Sequence, residues 1–111
     1  MSPFFDEYDL LELFGDEPNI LDEEAKIFQY HTKDEYGFSL YLLISAFEEF
    51  LVLRLEHDKL VNPIFDIEIK NIHKINCDHE KIEFYYRIDS SKDKIAKLYL
   101  KPSFELEVDL S

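Results

Sequence analysis

Three residues in one short run, His73, Cys77 and His79 (HKINCDH), are the side chains best suited to chemistry in this chain of 111 residues. Imidazole, thiolate and imidazole at this spacing could ligate zinc, and a Cys–His pair could act as a nucleophile. A zinc site takes three or four tetrahedral ligands, usually from two separated pairs. Here one cluster stands alone, across the end of an expected strand. A nucleophilic thiol needs a lowered pKa and a third group that orients its base, and no neighbouring residue marks Cys77 as activated. The run therefore reads as a solvated turn with an ordinary thiol. Glycine occurs only at positions 15 and 37, and no phosphate-cradling loop, nucleophile elbow or HExxH pattern is present. No metal, cofactor or catalytic set is expected, and the chain does not read as an enzyme. A small metal-binding or enzymatic domain built on His73, Cys77 and His79 stays open as an alternative.

The remaining polar chemistry is carboxylate. There are 25 acidic against 12 basic residues, a formal net charge of −13. Residues 1–25 hold nine carboxylates and no Lys or Arg. Acid–base catalysis needs two carboxyls in environments that push their pKa values apart. Adjacent acids on exposed turns, such as Asp34–Glu35 or Glu48–Glu49, do not provide that. The spacing of residues 16–22 does not fit a calcium loop, which alternates ligands around a glycine. Tyr85 and Tyr86 beside Arg87 could form a nucleic-acid platform, but a charge of −13 repels nucleic acid and anionic membranes and attracts basic partners. Two acidic arrays stand out as a docking face for a cationic protein. One is Asp16, Glu17, Asp22, Glu23 and Glu24. The other is the row Glu105, Glu107 and Asp109, which Asp66 and Glu68 extend if their strands are neighbours. The competing readings are charge that serves only solubility, as in a plain acidic regulatory module, and, for the row, an edge strand blunted against aggregation.

These arrays must be carried by elements that the pattern places as follows. Residues 2–14 read as a helix, with Ser2 as N-cap, Pro3 in the first position and Gly15 just past the end. Phe4, Tyr8, Leu11 and Phe14 form its apolar stripe, widened by Leu10 and Leu13. Residues 16–24 form a loop or turn, with a second helix from Asp22 as a weaker option. From Lys26 the period changes from 3.6 to 2. Strands are expected over 26–32, 38–45, 50–56, 64–76 with a bulge near Asn71–Ile72, 82–88, 95–101 and 104–110. Turns lie at 33–37, 46–49, 77–81 and 89–94. The densest apolar run, residues 38–55, becomes a central hairpin, buried on both faces over part of its length. The sum is an α+β domain over residues 1–111, with an acidic helix and loop (1–25) packed on a curved antiparallel β-meander of six to seven strands (26–111). The lone Cys77 excludes an internal disulfide and fits a reducing cytosol. The acidic N-terminus lacks a signal-peptide pattern, and no apolar run is long enough to span a membrane.

Residues 10–21 (LLELFGDEPNIL), followed by a β-rich acidic body, resemble small immunity proteins of bacterial toxin–immunity systems, including the contact-dependent inhibition and polymorphic toxin classes. Leu13, Phe14, Gly15 and Pro18 carry the detailed match: a helix ending in a Leu-Phe-Gly step, a nearby Pro, then alternating strands. The resemblance implies a cytoplasmic, non-enzymatic inhibitor, a monomer or weak homodimer, that binds and neutralises one cognate basic toxin, often a nuclease. Charge agrees with it, because a nuclease is basic where it grips phosphates.

Overall fold

Asp6 sets where the first helix begins. The computed structural model describes residues 6–89, 92–101 and 103–108, and in it Asp6 is extended and its Oδ1 accepts a hydrogen bond from Tyr8 N at 2.9 Å. Helix α1 therefore runs Glu7–Phe14, not from residue 2. The expected Ser2 cap, Pro3 and Phe4 lie outside the described residues. Gly15 ends α1 in the left-handed region at φ 77°, and its N–H bonds to Leu11 O at 2.8 Å, as its position suggests. The buried stripe is Leu10, Leu13 and Phe14, whereas Tyr8 is 80% exposed. With only two turns of helix, the side packed on the sheets is centred on Leu10 and Leu13 rather than on the Tyr8–Leu11 edge.

Nine strands follow: β1 Asn19–Asp22, β2 Ile27–Lys33, β3 Phe38–Ser45, β4 Phe50–His57, β5 Phe65–Ile69, β6 Ile72–Cys77, β7 Lys81–Asp89, β8 Lys92–Tyr99 and β9 Glu105–Val108. The strands form two sheets ordered β1-β2-β3-β4-β5 and β6-β7-β8-β9, and within each sheet consecutive strands pair antiparallel. The α+β meander is thus present, with nine strands where six to seven were expected. One added strand is β1, in the stretch read as loop or helix start. Ile20 stands opposite Phe28 and Asn19 opposite Gln29. The other comes from residues 64–76, which form two strands rather than one bent strand. Asn71, at φ 60°, turns the chain out of the first sheet, and Ile72 N then donates to Glu49 O at 2.9 Å. Asn tolerates this left-handed conformation better than most residues. Arg87 N donates to Asn71 O at 3.2 Å and holds the crossing in place.

One apolar cluster joins both sheets and α1. From the first sheet come Leu40, Leu42 and Ile44 of β3 with Leu51, Leu53 and Leu55 of β4. From the second come Ile72, Ile75, Ile82, Phe84, Ala96 and Leu98. The central hairpin is covered on this side only: outward Leu43, Phe50 and Val52 are half-buried, and Arg54 is exposed. Solvent reaches that outer face because the second sheet packs on just one side of the first.

The β2–β3 connection shows how local chemistry fixes register. Asp34 Oδ1 accepts from Tyr36 N and Phe38 N, both at 2.9 Å. Lys59 N donates to His57 Nδ1 at 3.1 Å, so His57 Nε2 carries the proton and donates to Tyr36 O at 2.9 Å. Gly37 sits beneath this imidazole at φ 94°, and a Cβ there would lie 3.2 Å from both His57 Nε2 and Asp58 Oδ2. Gly37→Ala combines backbone strain with this crowding and is expected to cost roughly 1–3 kcal/mol. A denaturant titration checks it; an unchanged midpoint would mean that the turn relaxes freely.

Candidate partner-binding face

Asp16, Glu17, Asp22, Glu23 and Glu24 are all exposed. Asp16 Oδ1 accepts from Glu17 N at 2.8 Å and Asp22 Oδ1 from Ala25 N at 3.0 Å, so two of the five also shape their own turns. Asp6, Glu7, Asp9 and Glu12 on and before α1 are exposed too. None of these nine carboxylates forms an ion pair among the described residues. Those at the start of α1 gain from the helix dipole, but Asp16 and Glu17 follow its C-terminal end, where anions are disfavoured. A cation arriving there relieves a standing repulsion.

Two of these acids, Glu7 and Glu17, border a groove of about 350 Å³ between α1 and the β1–β2 ribbon. Leu11, Pro18, Ile20 and Phe28 line it, and Glu7, Tyr8, Glu17 and Tyr30 complete its wall. Ile20 is 59% exposed, while Tyr30 is only 1% exposed and packs its ring against Phe14 at 5.3 Å between centroids. Burial, then the charge of Glu7, then Cys77 push the Tyr30 phenol up to about 12, so it stays protonated. Of these eight residues the sequence pointed only to Glu17 as a partner contact. The groove exists because β1 pairs with β2, and the four exposed residues of β1 carry no alternation that could have announced it.

The second array is divided. Glu105 and Glu107 are exposed on β9, and Asp109 lies outside the described residues. Asp66 and Glu68 do not extend that row, because β5 and β9 are edge strands of different sheets. Asp66 is already engaged: Arg54 Nη2 donates to its Oδ2 at 2.9 Å and Nε at 3.2 Å. Register places this pair in one outer row, His31–Tyr41–Arg54–Asp66, with the His31 and Tyr41 rings stacked at 4.5 Å. Glu68 lies 3.7 Å from Lys70 Nζ. Glu107 stands in register with Lys97, and Lys97 with Glu83, so a cation interrupts the acids on that face. No residue of the first array forms an ion pair with a cation among the described residues.

The His73, Cys77 and His79 run does not converge. His73 Nε2 is buried and lies 3.4 Å from Asp93 Oδ1 without a well-directed hydrogen bond, while Arg87 Nε donates to the same oxygen at 2.9 Å. His79 is exposed, 3.7 Å from Glu80. No group of three His, Cys, Asp or Glu side chains among the described residues is placed to hold a metal ion. Burial, followed by the charges of Asp9, Asp6, Asp78 and Glu12, pushes the Cys77 thiol up to about 12. A thiolate is the reactive species, so near pH 8 the folded chain holds about a thousandfold less of it than the unfolded chain. Iodoacetamide labelling of Cys77 is expected to be correspondingly slow until denaturant is added. Equal rates in both states would contradict this environment.

No helix among the described residues is long and apolar enough to cross a membrane. No protein-family model matches the chain, and no curated protein matches it significantly. Among solved structures, a chain of the contact-dependent growth inhibition toxin–immunity protein complex from Klebsiella pneumoniae 342 superposes with a TM-score of 0.78 at 19% sequence identity, covering 98% of each chain. The protein shares its fold, over almost its full length, with a component of that complex.

Proposed function

We propose that this chain is an immunity protein of contact-dependent growth inhibition, a non-enzymatic inhibitor that binds and neutralises one cognate toxin in the cytoplasm. The observation that carries the reading is the set of nine carboxylates around α1 and β1 that form no ion pair among the described residues, on a fold shared with a chain of a toxin–immunity complex. The toxin suited to such a surface is basic, and a nuclease is basic by necessity where it holds phosphates. An acidic inhibitor is steered to that surface and can compete there with nucleic acid.

The test uses the C-terminal domain of the polypeptide encoded immediately upstream. Its association rate with this chain is expected to approach about 10⁸ M⁻¹ s⁻¹ at low salt and to fall by one to two orders of magnitude at high salt. Absence of binding sinks the reading. A tight complex whose rate ignores ionic strength removes steering by the acidic face from it.

A further inference from the structure

The groove beside α1 combines three features that select for one side-chain chemistry. Its floor is apolar, with Leu11 and Ile20 able to support an aliphatic stem. Its wall offers carboxylates, Glu7 in the first turn of α1 and Glu17 beyond its last turn. Its third feature is Tyr30, almost wholly buried yet lining the groove, with no hydrogen bond from its hydroxyl among the described residues. A buried phenol usually has a partner, and because Tyr30 lines the groove, a donor from a bound segment can reach its oxygen. Lysine brings a compact ammonium, whereas arginine brings five N–H donors in a planar fork that can meet a carboxylate and a phenol oxygen together. Tyr8 adds an exposed ring at the rim, on which a guanidinium can stack.

We infer that the α1–β1 groove is a recognition slot for an arginine-bearing segment of the basic partner protein, with the guanidinium held by Glu7 and the Tyr30 hydroxyl. The aliphatic stem lies along Leu11 and Ile20, and a second basic residue of the segment meets Glu17. This rests on the proposed inhibitor function and deepens it: the diffuse negative field accelerates encounter, and the slot gives one partner priority over other basic proteins.

The experiment measures affinity for the upstream-encoded domain by calorimetry. Tyr30→Phe removes one hydroxyl and preserves the packed ring, and Glu7→Gln preserves shape. Each is expected to weaken binding by about tenfold, with unfolding temperatures close to that of the wild type. Ile20→Ser, at an exposed position, is expected to weaken it severalfold. Replacing the domain's arginines one at a time by lysine should reveal one whose loss is not additive with Glu7→Gln. If the wild-type chain binds but Tyr30→Phe and Glu7→Gln both stay within twofold of it, the slot is wrong and the inhibitor reading survives. If Glu7→Gln weakens binding but every arginine replacement is additive with it, the arginine assignment is overturned. If the wild-type chain does not bind at all, both inferences fall together.

Discussion

Phe84→Ala is expected to destabilise the protein by about 3–5 kcal/mol. Phe84 is completely buried in the middle of β7, in register with Ile75 on one side and Ala96 on the other. It is the largest fully buried side chain of the second sheet's inner face, and small Ala96 beside it cannot fill the space it leaves. The loss combines the transfer energy of the ring with the cavity left behind. Domains of this size are stable by only about 5–15 kcal/mol, so the melting temperature should drop on the order of 15 °C. Ile88→Ala is the control: Ile88 lies on the same strand, is 62% exposed, and should change stability by no more than about 0.5 kcal/mol. Urea titrations of the two variants check the difference. Equal effects would mean that β7 does not present its even-numbered residues inward as far as Tyr86 and release them at Ile88.

Asp16→Lys combined with Glu17→Lys is expected to lower affinity for the cognate partner at least about 100-fold, or roughly 2.7 kcal/mol. The two residues lie just past the C-terminal end of α1, and Glu17 lines the groove. Reversal replaces attraction by repulsion at the centre of the proposed interface. Lysines at a helix C-terminus complement the dipole and add about 0.3–1 kcal/mol of stability. A loss of binding would therefore not be a loss of folding, and thermal unfolding of the double variant separates the two. Glu105→Lys with Glu107→Lys on β9 serves as comparison. Lys97 already stands beside Glu107 in register, so a smaller effect is expected there. A larger effect from the β9 pair would move the interface to the second sheet.

How far the fold could be read from the residues depended on whether a signal was local. Gly15 marked the end of α1 because a left-handed position there favours glycine. β3 lies over Phe38–Ser45 and its turn over residues 46–49, as the alternation and turn composition indicated. The start of α1 was misplaced because Ser2–Pro3 and Asp6 are both good N-terminal signals, and only the hydrogen bond from Tyr8 N selects Asp6. β1 was missed because Asn19–Asp22 is short and exposed throughout, so pairing with β2 rather than pattern makes it a strand. The bulge expected near Asn71–Ile72 has a counterpart in the register shift between Ile72 and Lys74 where β6 pairs with β7, but the passage between sheets at Asn71 was not foreseen, because both events appear in a sequence as the same slip in phase.

The site was legible in kind and not in place. Charge asymmetry identified the carboxylates of residues 1–25 as the unusual feature, and among the described residues none of them forms an ion pair. Asp66 looked equally available, but cross-strand register gives it to Arg54, which no reading of one strand can foresee. Tyr8, Ile20 and Tyr30 come from a helix, an edge strand and an inner strand, and only tertiary structure assembles them into one groove.

The most direct test of the inhibitor account is to titrate the chain into the purified C-terminal domain of the upstream-encoded polypeptide while following cleavage of RNA and DNA. The account predicts that nuclease activity falls linearly and vanishes at one chain per domain. Activity that persists in the presence of excess chain, with both proteins folded, would contradict it.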